Sequence, residues 1–175
     1  MKNNIVLIGM MGSGKTTVGA ELSKALIDFQ YVDIDAEIEK STQKKISEIF
    51  LKHGEPFFRM LESDKIKKFC KEKNMIISAG GGAFENEDNR KLMLDSANVI
   101  YLKATPEEIY TRIKNETHRP LLKKNFSIEK IASIIEMRKK NYEKANIIID
   151  TNGKTPYDIV KEILGALNGW FIGKN

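Results

Sequence analysis

Eight consecutive residues, Gly9-Met10-Met11-Gly12-Ser13-Gly14-Lys15-Thr16, limit the fold of this chain more than any others. They fit the pattern G-x-x-x-x-G-K-[ST] in full. A short apolar run with β-branched residues, 4–8, precedes them. A helical pattern over 15–27 follows, with Val18, Leu22, Ala25 and Leu26 on one side. In that strand–loop–helix setting each residue type has a reason. Glycines let successive backbone N–H groups turn inward onto phosphate oxygens. The helix N-terminus adds partial positive charge. Gly12, Ser13 and Gly14 are expected to cradle the phosphates of a nucleotide, and Lys15 to reach the β- and γ-phosphates. The Thr16 hydroxyl is expected to bind Mg²⁺, with Thr17 touching phosphate beside it. The bland alternative is a chance glycine-rich turn, which explains neither flank.

The rest of the chain continues the alternation. Strand patterns fall at 31–34, 75–78, 99–102 and 147–149. Between them, helical patterns cover a short stretch through Ile46, Ile49, Phe50 and His53 that Gly54 stops, then Pro56 to about Lys71. Others cover about 88–94, Pro106 to about Lys114, a long helix capped by Ser127 to about Lys144, and a last one to about Leu167. Residues 115–126 are polar and basic without a period, the pattern of a mobile loop. Plain apolar strands separated by helices predict a parallel sheet covered on both faces. At 175 residues the chain suits one domain, and no repeat, linker or low-complexity segment divides it.

Composition removes several classes. Cys70 is the single cysteine, which excludes a disulfide within the chain and argues against cysteine-bound metal. No segment approaches the ~18 apolar residues of a membrane span. The charge of +5 comes from scattered lysines rather than a basic block, the pattern of a solvated surface rather than a nucleic-acid face. A reducing cytoplasm, no membrane and no nucleic-acid partner are expected. A monomer is expected too, with Trp170 and Phe171 as the one apolar feature left to a core or a partner.

Four further features point to a site. Asp33 and Asp35 follow the second strand pattern. If the strand continues through them, both carboxylates face one way. Asp33 is then expected to hold Mg²⁺ and Asp35 to accept the proton of an attacking hydroxyl. The alternative is that Asp35 caps the next helix. Arg138 interrupts an apolar stripe of Ile128, Ile131, Ile135 and Tyr142, where a guanidinium needs a partner such as a ligand carboxylate. Arg59, beside Phe58, has Glu62 three residues on to orient it. Snorkelling or an ordinary ion pair is the bland reading of each arginine. Gly80, Gly81 and Gly82 directly after a strand expose backbone N–H groups to a close ligand, or form a plain flexible turn. Arg119 in the irregular segment is suited to a closing lid that stabilises charge and excludes water.

With these residues in order and spacing, the chain resembles shikimate kinases over nearly its whole length. The matching elements are Gly9–Thr17, Asp33-Ile34-Asp35, Ile49-Phe50, Phe58-Arg59, Gly80-Gly81-Gly82, Arg119-Pro120-Leu121-Leu122, Arg138 and Asp150-Thr151-Asn152. The resemblance implies a three-layer α/β/α P-loop NTPase fold, like that of nucleoside monophosphate kinases. It has a five-stranded parallel sheet, a helical substrate-binding subdomain at about 33–62 and a lid at about 113–126. It implies that Asp35, Arg59, the glycine turn and Arg138 hold shikimate, and that Lys15, Thr16 and Asp33 serve ATP and Mg²⁺. Arg119 closes over the phosphates, and Arg112 lies against adenine with the loop after Asp150. The strand before Gly80 ends without the acid of a usual Walker B strand. The family shares that absence, with Asp33 compensating. The reaction implied is transfer of the γ-phosphoryl of ATP to the 3-hydroxyl of shikimate, in aromatic amino-acid biosynthesis. The competing readings are another small-molecule kinase, for gluconate or a nucleotide, and a nucleotide-binding regulatory module without turnover.

Overall fold

The computed structural model describes residues 3–114 and 127–172, with side chains as far as residue 168. Five strands pair into one sheet: β1 (Asn4–Ile8), β2 (Gln30–Asp33), β3 (Met75–Ser78), β4 (Ala97–Lys103) and β5 (Ile147–Asp150). Their order is β2-β3-β1-β4-β5, and every pairing is parallel. Because consecutive parallel strands need a crossover, the helices fall on the two faces. They are α1 (Lys15–Ala25), α2 (Ile34–Thr42), α3 (Ile46–Lys71), α4 (Glu87–Ser96), α5 (Pro106–Ile113), α6 (Ile128–Tyr142) and α7 (Pro156–Ile172).

The period of two in β1 builds both halves of the core. Ile5 and Leu7 join Val18 and Leu22 of α1 with Ile159 and Ile163 of α7. Val6 and Ile8 point the other way, to Phe58 and Ile66 of α3 and Met93 of α4. All five residues of β1 are buried, and after the polar Asn4 the strand reads as an unbroken apolar run. A third, smaller cluster of Met10, Ala104, Ile109, Ile113 and Ile131 ties α5 and α6 to the loop after β1.

Two local outcomes bear on the site. Residue 54 has φ 77° and ψ 174°, breaking α3 where the sequence places the break, with Pro56 restarting the helix beyond it. Only glycine takes such a φ without strain. The second outcome corrects an expectation. The second strand does not run through Ile34 and Asp35 but stops at Asp33, and Ile34 opens α2. The reason is local: Asp33 Oδ1 accepts hydrogen bonds from the backbone N–H of Asp35 (3.0 Å) and Ala36 (3.3 Å), making Asp33 the N-cap. The helix cap is therefore Asp33, not Asp35. The last helix also runs to Ile172, past the expected Leu167.

Candidate active site

The register levels the carboxyl ends of the strands. Asp33 pairs with Ser78, Leu7 also pairs with Ser78, and Ile8 pairs with Tyr101. The loops after β1, β2 and β3 thus open onto one edge. The strand order reverses at β1, whose neighbours β3 and β4 lead to opposite sides, and in open α/β sheets ligands bind in the crevice at such a point.

The loop after β1 is wound by its glycines. Gly9, Gly12 and Gly14 have φ of +146°, +77° and +95°. The Ser13 N–H donates to the Met10 carbonyl at 3.1 Å, and the Val18 N–H to the Gly14 carbonyl at 2.8 Å, starting α1. Lys15 Nζ folds over the loop and donates to the Gly9 and Met10 carbonyls at 2.9 and 3.0 Å. This places an ammonium at the mouth of the cradle, where phosphate oxygens are stronger acceptors than neutral carbonyls.

Thr16 and Asp33 meet beside the cradle. The Thr16 hydroxyl donates to Asp33 Oδ2 at 2.9 Å. The Tyr31 hydroxyl lies 3.4 Å from the same oxygen. Two oxygen ligands this close suit a small hard cation that keeps most of its waters, so the residues fit Mg²⁺. Tyr31 is part of this corner for a second reason: a Cβ on Gly19 of α1 would stand 2.3 Å from its ring, so the missing side chain makes room for it. Burial first, then the charge of Asp33, push the Tyr31 phenol up to about 12. Nothing in its local sequence marks Tyr31 as part of the site.

Across from the cradle stand the two arginines. Arg59 Nη1 donates to Glu62 Oε2 at 2.8 Å, while Nε and Nη2 donate to Glu55 Oε1 at 3.1 and 2.9 Å. Its guanidinium lies 5.2 Å from the Phe58 ring centroid. Phe58 is buried in turn and packs on Phe50 at 4.8 Å. Glu62 is fully buried. Burial raises its carboxyl above the usual range, Arg59 opposes that, and Asp35 adds to it. Burial pulls the Arg59 guanidinium down, but Glu62 outweighs it and the net direction is up. Arg59 therefore stays charged, gripped from behind by a residue with no exposure of its own. The helical spacing legible for Glu62 also holds for Glu55, four residues before Arg59.

Arg138 of α6 reaches the glycine turn, donating from Nη1 to the Gly81 carbonyl at 2.8 Å and toward Met10 Sδ at 3.8 Å. The turn is crowded. A Cβ on Gly80 would stand 2.2 Å from Glu62 Oε1 and 3.4 Å from Asp35 Oδ1, and one on Gly82 would stand 2.6 Å from Arg59 Nη2. One on Gly81 would stand 3.3 Å from both Arg138 Nη1 and the Gly9 carbonyl. Asp35, Arg59, Arg138 and the phosphate loop thus surround a single three-glycine turn.

Arg112 of α5 sits on the far flank of the loop. It donates to the Gly12 carbonyl (3.4 Å) and to the Thr151 hydroxyl and carbonyl (3.3 and 2.8 Å), and pairs with Glu108 at 2.9 Å. It joins the phosphate loop to the loop after β5. Thr151 is fully buried there, with its own hydroxyl donating to the Lys103 carbonyl at 3.1 Å. That link spans 39 residues and has no local signal. Thr16 and Thr17 are both exposed on the first turn of α1. Arg119, and with it the lid expected at about 113–126, falls outside the described residues from 115 onward.

Comparison with known proteins identifies the family and the fold. The family profile described as shikimate kinase matches residues 11–168. The chain is 47% identical over 164 residues to a shikimate kinase of Persephonella marina, covering 94% of this chain and 98% of that one. A shikimate kinase of Acinetobacter baumannii, solved in complex with shikimate, superposes with a TM-score of 0.90 at 33% identity, covering 95% of this chain and 93% of that one. A gluconokinase of Sinorhizobium meliloti superposes less closely, with a TM-score of 0.64 at 16% identity over 99% of this chain and 98% of that one, a likeness of fold alone. With the family profile covering most of the phosphate loop, both arginines and the glycine turn, the chain belongs to the shikimate kinase family.

Proposed function

We propose that the protein transfers the γ-phosphoryl group of ATP to the 3-hydroxyl of shikimate, giving shikimate 3-phosphate and ADP. The observation that carries this reading is the position of the glycine turn. Its middle residue lies against Arg138 on one side and the Gly9 carbonyl of the phosphate loop on the other. An acid held by the arginines is therefore held next to the nucleotide's phosphates.

In this reading Arg59 and Arg138 bind the carboxylate of the acceptor, where planar guanidinium forks suit planar carboxylates. The glycine turn and Asp35 orient its hydroxyls. Holding the acceptor hydroxyl in line with the phosphate removes most of the entropic barrier to a two-substrate reaction. Asp35, exposed on the first turn of α2, accepts the hydroxyl proton. It does so late, because a loose transition state makes the nucleophile acidic only as the bond forms. Lys15 moves from the Gly9 and Met10 carbonyls to the phosphate oxygens and neutralises charge there. Gly12, Ser13, Gly14 and Thr17 bind the phosphates, and Arg112 flanks the nucleotide. Thr16 and Asp33 hold Mg²⁺, which when bound screens the β- and γ-phosphate charges. Residues about 33–62 act as the acceptor-binding subdomain of a single domain.

Among the described residues no helix is long and apolar enough to cross a membrane. We place the enzyme in the cytoplasm as a monomer that binds no nucleic acid; size exclusion at several concentrations tests the monomer. The substrate is tested by ADP release from MgATP with shikimate, quinate, gluconate and nucleoside monophosphates offered separately. Turnover on shikimate alone is expected. Turnover on another acceptor, or only background hydrolysis, overturns the substrate while leaving the nucleotide loop in place.

A further inference from the structure

One buried polar group beside the glycine turn has no part in the reaction described so far. Tyr142, the last residue of α6, is fully buried. Its ring packs on Tyr101 of β4, with centroids 4.8 Å apart and planes at 34°. Its hydroxyl donates to the Gly81 carbonyl at 2.5 Å. The same carbonyl accepts Arg138 Nη1 at 2.8 Å. Arg138 and Tyr142 are four residues apart on one helix, hence on one face. Two donors from α6 therefore converge on both lone pairs of a carbonyl that lies 57 and 61 residues away in the chain.

We propose that Tyr142 is a positioning residue for the acceptor acid. Its hydroxyl fixes the Gly81–Gly82 peptide and, through the shared carbonyl, the Nη1 edge of Arg138. The inference rests on the reading of Arg138 and the glycine turn as acceptor-binding groups. A charge-assisted bond from Arg138 to a carboxylate is roughly twice as strong as one to a neutral carbonyl. An arriving acid thus competes with Gly81 for the guanidinium. The Tyr142 hydroxyl, fully buried, meets no such competitor, and a buried hydroxyl left without a partner is costly. It keeps the carbonyl in place while Arg138 turns to the ligand. Because the peptide is planar and trans, holding the Gly81 carbonyl toward the core also aims the Gly82 N–H the opposite way. Burial raises the Tyr142 phenol against the opposing pull of Arg138, which keeps the hydroxyl a donor.

The test compares Tyr142→Phe, Arg138→Lys and the double variant, with Tyr101→Phe as a control for packing. Phenylalanine keeps the ring and its contact with Tyr101, and a thermal melt checks that the fold persists. Shikimate affinity is measured calorimetrically without nucleotide, and steady-state constants are measured for both substrates. Tyr142→Phe is expected to raise the Kd and KM for shikimate about five- to tenfold, the size of one lost hydrogen bond. The kcat and the KM for ATP are expected to stay within about twofold of wild type. The double variant is expected to lose less than the product of the single losses, because both side chains act on one carbonyl. Tyr101→Phe is expected to leave shikimate binding unchanged. If Arg138→Lys weakens shikimate binding but Tyr142→Phe does not, Tyr142 only fills the core and the inference fails alone. A fully multiplicative double variant also overturns it, since the two then act separately. If neither substitution affects shikimate, the assignment of Arg138 as an acceptor-binding group fails with it.

Discussion

The two sides of the cleft are both rich in glycine, but only one of them for its backbone dihedrals. On the nucleotide side Gly9, Gly12 and Gly14 have positive φ, a backbone conformation that a Cβ penalises. The loop's shape is local and is made by eight residues in a row. On the acceptor side none of Gly80, Gly81 and Gly82 has positive φ. Glu62 and Arg59 occupy the space a side chain would take at Gly80 and Gly82, and Arg138 crowds it at Gly81. That side is assembled from α2, α3, the turn after β3 and α6. The cradle needs its glycines for their dihedrals, and at Gly9 and Gly12 also because a Cβ would stand 2.7 Å from Leu102 and Ile113, whereas the discontinuous side-chain pocket needs them for its neighbours alone.

The largest effect expected from this contrast is on the nucleotide side. Lys15→Ala should lower kcat by roughly 10³-fold, as for loss of a donor aimed at developing charge. It should leave the shikimate KM within about threefold in steady-state assays. A change confined to the shikimate KM would mean that the two sides are not separable.

Asp35→Asn comes next. Its carboxylate faces Gly80 from the acceptor side, and the proposed reaction gives it a part in the chemical step. Loss of a general base should lower kcat by roughly 10²-fold, with little change in the KM for ATP. An unchanged kcat would reduce Asp35 to a binding group.

A pair of alanine substitutions tests the glycines directly. Gly80→Ala drives a methyl into Glu62, which holds Arg59, and should raise the shikimate KM about tenfold with the ATP KM unchanged. Gly14→Ala meets no atom closer than Val18 at 3.8 Å, so its cost is the strained φ of +95°. It should raise the ATP KM about tenfold instead. If both variants shift the same KM, the distinction between dihedral and spatial glycines is wrong.

The smallest effect is a pH dependence on the nucleotide side. The Tyr31 phenol, at 10.0 in its ordinary state, is held up to about 12 in the folded protein. The unfolded chain therefore releases this proton first. The contribution is fully present below pH 10 and is lost as pH rises toward 12. Denaturant titrations across that range should show a steeper loss of stability in the wild type than in Tyr31→Phe. Equal slopes would show that neither burial nor the charge of Asp33 holds the phenol up.

Much of this molecule is legible in its residues because the relevant forces act over a few neighbours. The alternation of apolar strands and helices, the break at Gly54, the Ser127 cap and the phosphate loop all follow from local periodicity and dihedral preference. The same locality misleads at Asp33 and Asp35. A period of two puts both on one strand, but the Asp33 side chain competes for backbone N–H groups and starts a helix. Glu62 is visible as a partner of Arg59 at helical spacing. That it is wholly buried beneath Gly80 is not.

The order of residues alone determined the parallel α/β plan, the nucleotide cradle and the set of polar groups available to a second substrate. Each of those depends on short-range geometry that a sequence carries openly. Only the tertiary structure decided which distant groups meet: Arg138 and Tyr142 on the Gly81 carbonyl, Arg112 between Gly12 and Thr151, and Tyr31 in the space beside Gly19. The reason is that sheet order and helix packing, settled by burial of the whole core, fix which chain segments are neighbours. No single segment encodes that choice.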